Sequence, residues 1–287
     1  LYSGMALGII QLILMLFLSS LILFNQNYDQ SFLINKSSIT RFPKNNLISV
    51  LFYLVAFYFF IPFLILIKGL SNFNAQLILS TGFLNSISNS MMISILSVLL
   101  AVFTSLSALF VYRSFLEKNS KLHKSIFISI TILLFIPSLT LSSIILYLNF
   151  KLNFIFSNFL IVSVINSFFI TPIVFVFLSN IFIQNYLYES KQCLLLNISP
   201  FIRMIKIDMP KIKNELILII SAVFVLSLGD LTSVTIFNDS SFRTIPLFVS
   251  QLYNNYKYDD AFFILSIFII FLFFIMYFPS RFLNRNA

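Results

Sequence analysis

The sequence predicts an all-α membrane protein, a polytopic helical bundle. Of its 287 residues, 59% are hydrophobic and only 9% are charged. A soluble domain carries about 25% charged residues to cover itself in water. The apolar residues also fall in long unbroken runs, and a helix that crosses a bilayer needs about 20 of them. Lipid is therefore the solvent for most of the surface. Transmembrane β-strands fit poorly, because they run about 10 residues with alternating polarity.

Seven runs qualify as spans: residues 5–24, 47–67, 88–112, 125–148, 158–183, 216–237 and 261–278. The loops between them set the orientation through their Lys and Arg content. With residues 25–46 placed in the cytoplasm, that side holds fourteen of the eighteen basic residues, among them Arg113, Arg203, Lys206 and Arg281. The opposite side keeps Lys68, Lys151, Arg243 and Lys257. The net charge of +9 is thus a positive-inside bias, and no nucleic-acid partner is needed to explain it. The arrangement implies a multi-pass membrane protein with its C-terminus in the cytoplasm. Cys193 is the single cysteine, so no intrachain disulfide forms. The lone His123 cannot build a His-based metal site.

Residue 1 is Leu, and the span count is odd. Both suggest that residues 1–46 are the last transmembrane helix of a preceding half plus a cytoplasmic linker. Residues 47–287 then form one six-helix transmembrane domain. In its second span, Ser94, Ser97, Ala101, Ser105 and Ala108 recur at helical spacing. Small residues in this pattern let helices approach closely in lipid. Pro137 and Pro172 lie inside the next two spans. Each removes a backbone donor and is expected to bend its helix. Ser138, Thr140, Ser142 and Ser143 stand ready to satisfy the carbonyls released at Pro137.

The segment 185–214 lies between two spans on the basic side. It is too polar to cross a membrane and too apolar to be a solvated linker. It reads as a helix, a turn at 197–200 and a second amphipathic helix ending near Pro210. Asn197 tolerates the left-handed conformation that ends a helix. Ser199 is placed to cap the next helix, with Pro200 at its first position. Phe201, Met204, Ile205 and Ile207 make an apolar stripe flanked by Arg203 and Lys206. Such a helix lies on a membrane surface, packs on its own domain, or docks into a groove of a partner.

This segment resembles the "EAA" loop of ABC-importer permeases, whose pattern is an acidic-Ala-Ala start, a Gly and a closing Pro. Pro210 stands at the closing Pro and Asn197 at the Gly. Lys191 occupies the acidic position, and Glu189 lies two residues earlier. A second stretch, 226–247, contains Leu228-Gly229-Asp230 and Phe242-Arg243-Thr244-Ile245-Pro246. It is similar to the C-terminal half of thiamine permeases, and the likeness covers most of 47–287.

The resemblance implies a type I importer fold of two such halves in tandem. It implies a coupling helix seated in a cleft of a cytoplasmic ABC ATPase dimer, with loop residues Glu189, Asn197, Ser199, Pro200, Phe201, Arg203, Ile205 and Pro210 forming the contact. It also implies an external substrate-binding protein, alternating access driven by ATP on the partner subunit, and no cofactor bound by this chain. The chain itself carries no phosphate-binding Gly-rich loop and no acid–base or nucleophile cluster, which fits a transport subunit rather than an enzyme.

Gly229 and Asp230 sit within an apolar run. An acid at that depth is costly and is a functional candidate by default. Two readings stand beside each other. Asp230 faces the pathway of a cationic substrate such as thiamine, or it caps a break in the helix. Arg243 likewise contacts a docked binding protein or anchors a loop. Iron(III) or polyamine permeases carry similar turns. A secondary transporter would show coupling acids or paired broken helices at mid-membrane, and a degenerate assembly subunit would need no coupling loop.

Overall fold

In lipid the backbone must satisfy its own hydrogen bonds, and a helix does so within one segment. The computed structural model describes residues 10, 13, 14, 17, 50–55, 57, 58, 60, 61, 69–117, 122–152, 157–237 and 242–284, and its regular structure is helical. The main elements are α1 (Thr81–Glu117), α2 (Leu122–Thr131), α3 (Ser138–Leu152), α4 (Asn158–Leu195), α5 (Lys213–Leu228), α6 (Thr232–Ile236), α7 (Ile245–Asn254) and α8 (Tyr258–Asn284). Among the described residues, four single stretches are long and apolar enough to cross a membrane: Thr81–Leu116, Asn158–Ile183, Lys213–Ile236 and Tyr258–Pro279. The bent pair α2–α3, counted as one broken span, makes a fifth. These five answer the last five expected spans. The expected spans 5–24 and 47–67 fall largely outside the described residues, although the residues described within them are helical.

The five crossings are fixed by which ends meet. Ile93 near the start of α1 packs with Ile161, Val162 and Ile165 near the start of α4. Further along, Val98, Ala101 and Leu109 pack with Ile170, Val174 and Leu178. Thr104 and Thr171 share a hydrogen bond of 2.9 Å between the two helices. So α1 and α4 run parallel, and the chain between them must return across the bilayer. It does so through α2 and α3. Helix α5 runs the opposite way, since Ile219 and Val223 join the middle of the α1–α4 core while Leu228 reaches Phe83. Helix α8 starts beside that end, with Ala261, Phe263 and Phe268 in the same cluster.

The small-residue stripe of α1 explains its tight partnership with α4. Ser94, Ser97, Ala101 and Ser105 are fully buried. Ser97 donates to the Ile93 carbonyl at 2.7 Å and Ser105 to the Val102 carbonyl at 3.0 Å. Each of these hydroxyls bonds back within its own helix and leaves a smooth face for a neighbour. The long side chains on other faces, such as Phe103 and Phe150, stay exposed, as a lipid-facing surface requires.

The two intramembrane prolines behave differently. At Pro137 the span breaks. A single 3₁₀ stretch, Ile132–Phe135, follows α2, Ile136 is extended, and α3 restarts at a bend of 91°. The Pro137 carbonyl is met by the Thr140 and Leu141 amides and by the Thr140 hydroxyl at 2.8 Å. Around Pro172, by contrast, α4 runs on without interruption.

Beside the Leu228 end of α5, the chain before α1 is tied to α8. Asn72 and Asn74 donate to Asp259 and Asp260 at 2.9 and 3.1 Å. These acids lie in the first turn of α8, where the helix dipole favours negative charge. Gly69 is buried against the same helix, and a Cβ there would stand 2.6 Å from both the Phe262 carbonyl oxygen and the Ser266 hydroxyl. Backbone cannot yield to that contact. Gly69→Ala is therefore expected to destabilise the fold by about 1–3 kcal/mol, the range for overpacking, and Gly82→Ala, which meets only the Phe248 ring at 3.6 Å, to leave it unchanged. Thermal unfolding in detergent reads the difference, and equal midpoints for the two variants would remove the close approach.

Candidate functional site

Two places gather the residues singled out by the sequence, and they lie at opposite ends of the bundle. The first is the loop after α4. Helix α4 ends in a turn where Ile198 donates to the Cys193 carbonyl and Leu196 to the Gln192 carbonyl, each at 3.1 Å. Asn197 has φ 48°, the left-handed conformation that closes a helix this way. Pro200 opens the next helical turn, Pro200–Arg203, as expected. Ser199 is extended before it, but its side chain makes no capping hydrogen bond. The expected hydroxyl cap is absent, and the Ser199 carbonyl instead accepts from the Arg203 amide at 3.0 Å.

The segment continues as a π-helical turn, Met204–Asp208, in which the Met209 amide reaches back to the Met204 carbonyl. A short turn, Met209–Lys211, follows and contains the exposed Pro210. Wide turns of this kind are rare and concentrate at functional sites. The apolar stripe expected on one face is split. Met204 is buried, whereas Phe201, Ile202 and Ile205 are exposed and join Leu195 and Leu196 in one apolar tip. Phe201 is 64% exposed and Leu195 87%. Arg203, expected beside the stripe, is turned inward and is 3% exposed. Glu189 lies within α4, and its side chain is outside the described residues.

What turns Arg203 inward is a feature that sequence reasoning missed. Asp208 is buried and forms an ion pair with Arg113, near the end of α1. Arg113 also donates to the Pro200 carbonyl at 2.7 Å. Its guanidinium lies over the rings of Phe110 and Phe182, 5.7 and 5.5 Å from their centroids. The Arg203 Nε stands 3.8 Å from the same carboxylate. One buried Asp thus holds the loop to α1, and the planar fork of Arg113 serves carboxylate and carbonyl together. A signal was present in the sequence: Asp208 is the lone acid between Lys206 and Lys211.

The second place is the break between α5 and α6. Gly229 ends α5 with φ −81°, an ordinary helical value, so the break does not depend on glycine's freedom. Asp230 Oδ1 accepts from the Thr232 amide at 3.0 Å and lies 2.8 Å from its hydroxyl. Its other oxygen takes the Ser233 hydroxyl. Asp230 therefore caps the restart of the helix, one of its two expected roles. Around it, Ser233 lies 2.8 Å from Asn166 of α4, and Thr232 lies 2.9 Å from Ser138. The break at Pro137 and the break at Gly229 are thus joined side chain to side chain.

Arg243 does not join this cluster through any hydrogen bond. Its carbonyl accepts from Asn89 at 3.0 Å, while the next amide but one, Ile245, donates to Ser90 at 2.8 Å. Its Nε is buried without a hydrogen-bond partner. The backbone at 243–245 is a loop anchor on α1.

The geometry separates Gly229 from Asp230 in their effects. A Cβ at Gly229 meets only the Val225 and Leu226 carbonyls, at 3.6 and 3.7 Å. Gly229→Ala is expected to change stability by less than about 0.5 kcal/mol, and Asp230→Ala to cost about 1–2 kcal/mol through the lost cap. Asp230→Asn, which keeps an acceptor for the Thr232 amide, should recover most of that loss. Unfolding midpoints in detergent check the order, and a Gly229→Ala penalty as large as that of Asp230→Ala would refute it. Comparison with models of known protein families finds no match to this chain, and comparison with curated proteins finds none.

Proposed function

We propose that the chain is the permease subunit of an ATP-driven importer, which docks a cytoplasmic ATPase dimer through the tip of the 185–214 loop. The observation that carries this reading is the apolar tip itself. Five large apolar side chains, Leu195, Leu196, Phe201, Ile202 and Ile205, are exposed together on a segment outside the apolar spans. A side chain of this size gains about 1.5–3 kcal/mol when it is fully buried, so a rigidly held group of five is a surface suited to a groove. The main-chain bonds from Ile198 to the Cys193 carbonyl and from Arg203 to the Ser199 carbonyl hold the turn in shape. Flanking Lys206, Lys211 and Lys213 are exposed, in keeping with a cytoplasmic position.

The substrate belongs to the resemblance in 226–247, and thiamine is the proposal. Iron(III) or a polyamine is the alternative within the same family. ATP hydrolysis and its nucleotide sites are assigned to the partner subunit, delivery of substrate to an external binding protein, and the other half of the pathway to a preceding permease half. Asp230, half-buried at a helix break, is the anion nearest to hand for a cationic substrate. A second reading has its own observation. Two broken helices that meet at Ser138 and Thr232 are also the architecture of secondary transporters.

The test is made on the full-length protein in its own membranes, purified through a tag with whatever ATPase accompanies it. Phe201→Asp with Ile205→Asp is expected to weaken ATPase retention about a hundredfold, the equivalent of about 3 kcal/mol, while the permease stays folded. In proteoliposomes, thiamine-loaded binding protein should stimulate hydrolysis by the wild type and not by this variant. Transport that proceeds with no ATPase present would sink the importer reading in favour of the secondary transporter.

A further inference from the structure

A coupling surface works only if its displacement reaches the helices that line the pathway. The tip is covalently joined to α4 on one side and to α5 on the other. It has no covalent link to α1, the helix whose small-residue face packs along α4. What links the tip to α1 is the buried cluster around Asp208. Arg113 of α1 holds the Asp208 carboxylate and, at 2.7 Å, the Pro200 carbonyl. Pro200 directly precedes the exposed Phe201, and Asp208 lies three residues beyond the exposed Ile205. The two points of attachment therefore bracket the Phe201, Ile202 and Ile205 part of the docking face.

We propose that Arg113 and Asp208 are the positioning pair through which movement of the docked tip is passed to α1, beyond simply holding the loop in place. This rests on the docking reading above. Three features favour a transmitting joint over a local staple. The Arg113 fork grips two separate points of the loop, so the tip cannot pivot about either one alone. The guanidinium lies over the rings of Phe110 of α1 and Phe182 of α4, so a push on the loop enters at the face the two parallel helices share. The carboxylate rides on the π-helical turn Met204–Asp208, a backbone form that changes register within a single turn.

The same pair also connects the two ends of the bundle. From Arg113 the line runs along α1 to Asn89 and Ser90, which hold the backbone of Arg243 and Ile245. Arg243 precedes α7 at the far end, and Ile245 opens it. A shift of α1 along its axis would carry that anchor with it.

The experiment uses the full-length complex with its ATPase, with Cys193→Ser as background and a cysteine introduced by Ser94→Cys. Ser94 lies fully buried on α1, and its hydroxyl makes no hydrogen bond, so the exchange is mild. Maleimide labelling at position 94 is compared between the nucleotide-free complex and the complex trapped with ATP and vanadate. With Arg113 and Asp208 intact, the two rates should differ by at least about fivefold, the lower end of ordinary site-to-site coupling.

Two variants loosen the joint. Arg113→Lys keeps the charge and loses the fork, and Arg113→Gln with Asp208→Asn removes both charges of the pair and leaves Arg203 facing an amide in place of the carboxylate. Each is expected to retain the ATPase and its basal hydrolysis, with the two labelling rates brought within about twofold of each other. Retention of the full nucleotide-dependent difference in both variants overturns the proposal and leaves docking intact. Loss of the ATPase from both variants also overturns it, because the pair would then only hold the loop in shape. A rate at position 94 that ignores nucleotide in the parent complex overturns it as well. Absence of any ATPase with the parent chain removes the docking reading and the proposal together.

Discussion

A single constraint organises one end of this molecule: a carboxylate and a guanidinium that are both almost wholly removed from solvent must face each other. Taking either charge out of water costs several kcal/mol, and only good geometry with added hydrogen bonds repays it. Arg113 and Asp208 meet that condition with the Pro200 carbonyl and two aromatic rings as further partners. The positions of four segments follow from it. The end of α1 must reach the loop, the loop must fold back after Asn197, the π turn must bring Asp208 inward, and Phe182 of α4 must flank the guanidinium. With the inward face spent on charge, Phe201, Ile202 and Ile205 are left facing outward.

The opposite end is governed by backbone satisfaction. Pro137 and the 229–231 segment each interrupt a helix in an apolar bundle, where water is not available to fill the gap. Short side chains do so instead. Thr140 bonds the Pro137 carbonyl, Asp230 receives the Thr232 amide, and the Ser138–Thr232 contact joins the two repairs. An acid at a helix break has a structural task before any substrate is considered. That task leaves room for another, because Asp230 is only half-buried at the junction of α3, α4 and α6.

What was legible in the sequence follows from the range of the forces involved. Apolar runs, Pro137 as a breaking point, the left-handed Asn197 and the small-residue face of α1 are each decided by a residue and its near neighbours. The same is true of the capping role of Asp230. The Arg113–Asp208 pair joins residues 95 positions apart. Arg113 was absorbed into the general basic bias of the loops, where one more cation carries no signal. Arg203 and Met204 were misplaced for a related reason. Helical periodicity groups Phe201, Met204 and Ile205 on one stripe, but a π turn does not keep that period, and the pull of Asp208 rotates Arg203 and Met204 inward. The Ser199 hydroxyl was expected to cap because the residue type favours it, yet the turn is already held by main-chain bonds at Ile198 and Arg203.

The two ends together bear on how such a chain would move. The α1–α4 face sets a small-residue stripe among packed aliphatic and aromatic side chains, which resists bending of either helix. Broken helices concentrate compliance at their breaks, here both at the end remote from the tip. A push at Arg113 would therefore travel along the rigid pair α1 and α4 and be taken up where α2–α3 and α5–α6 already hinge. Stiffness near the exposed tip and compliance at the remote breaks is the distribution that the proposed permease would need for rocking. A helix pair broken at mid-length without such a stiff arm would gate locally, as in a secondary transporter. The length of uninterrupted helix between Arg113 and the Asn89–Ser90 anchor is the feature that sets the two mechanisms apart in this fold, and it runs unbroken through α1.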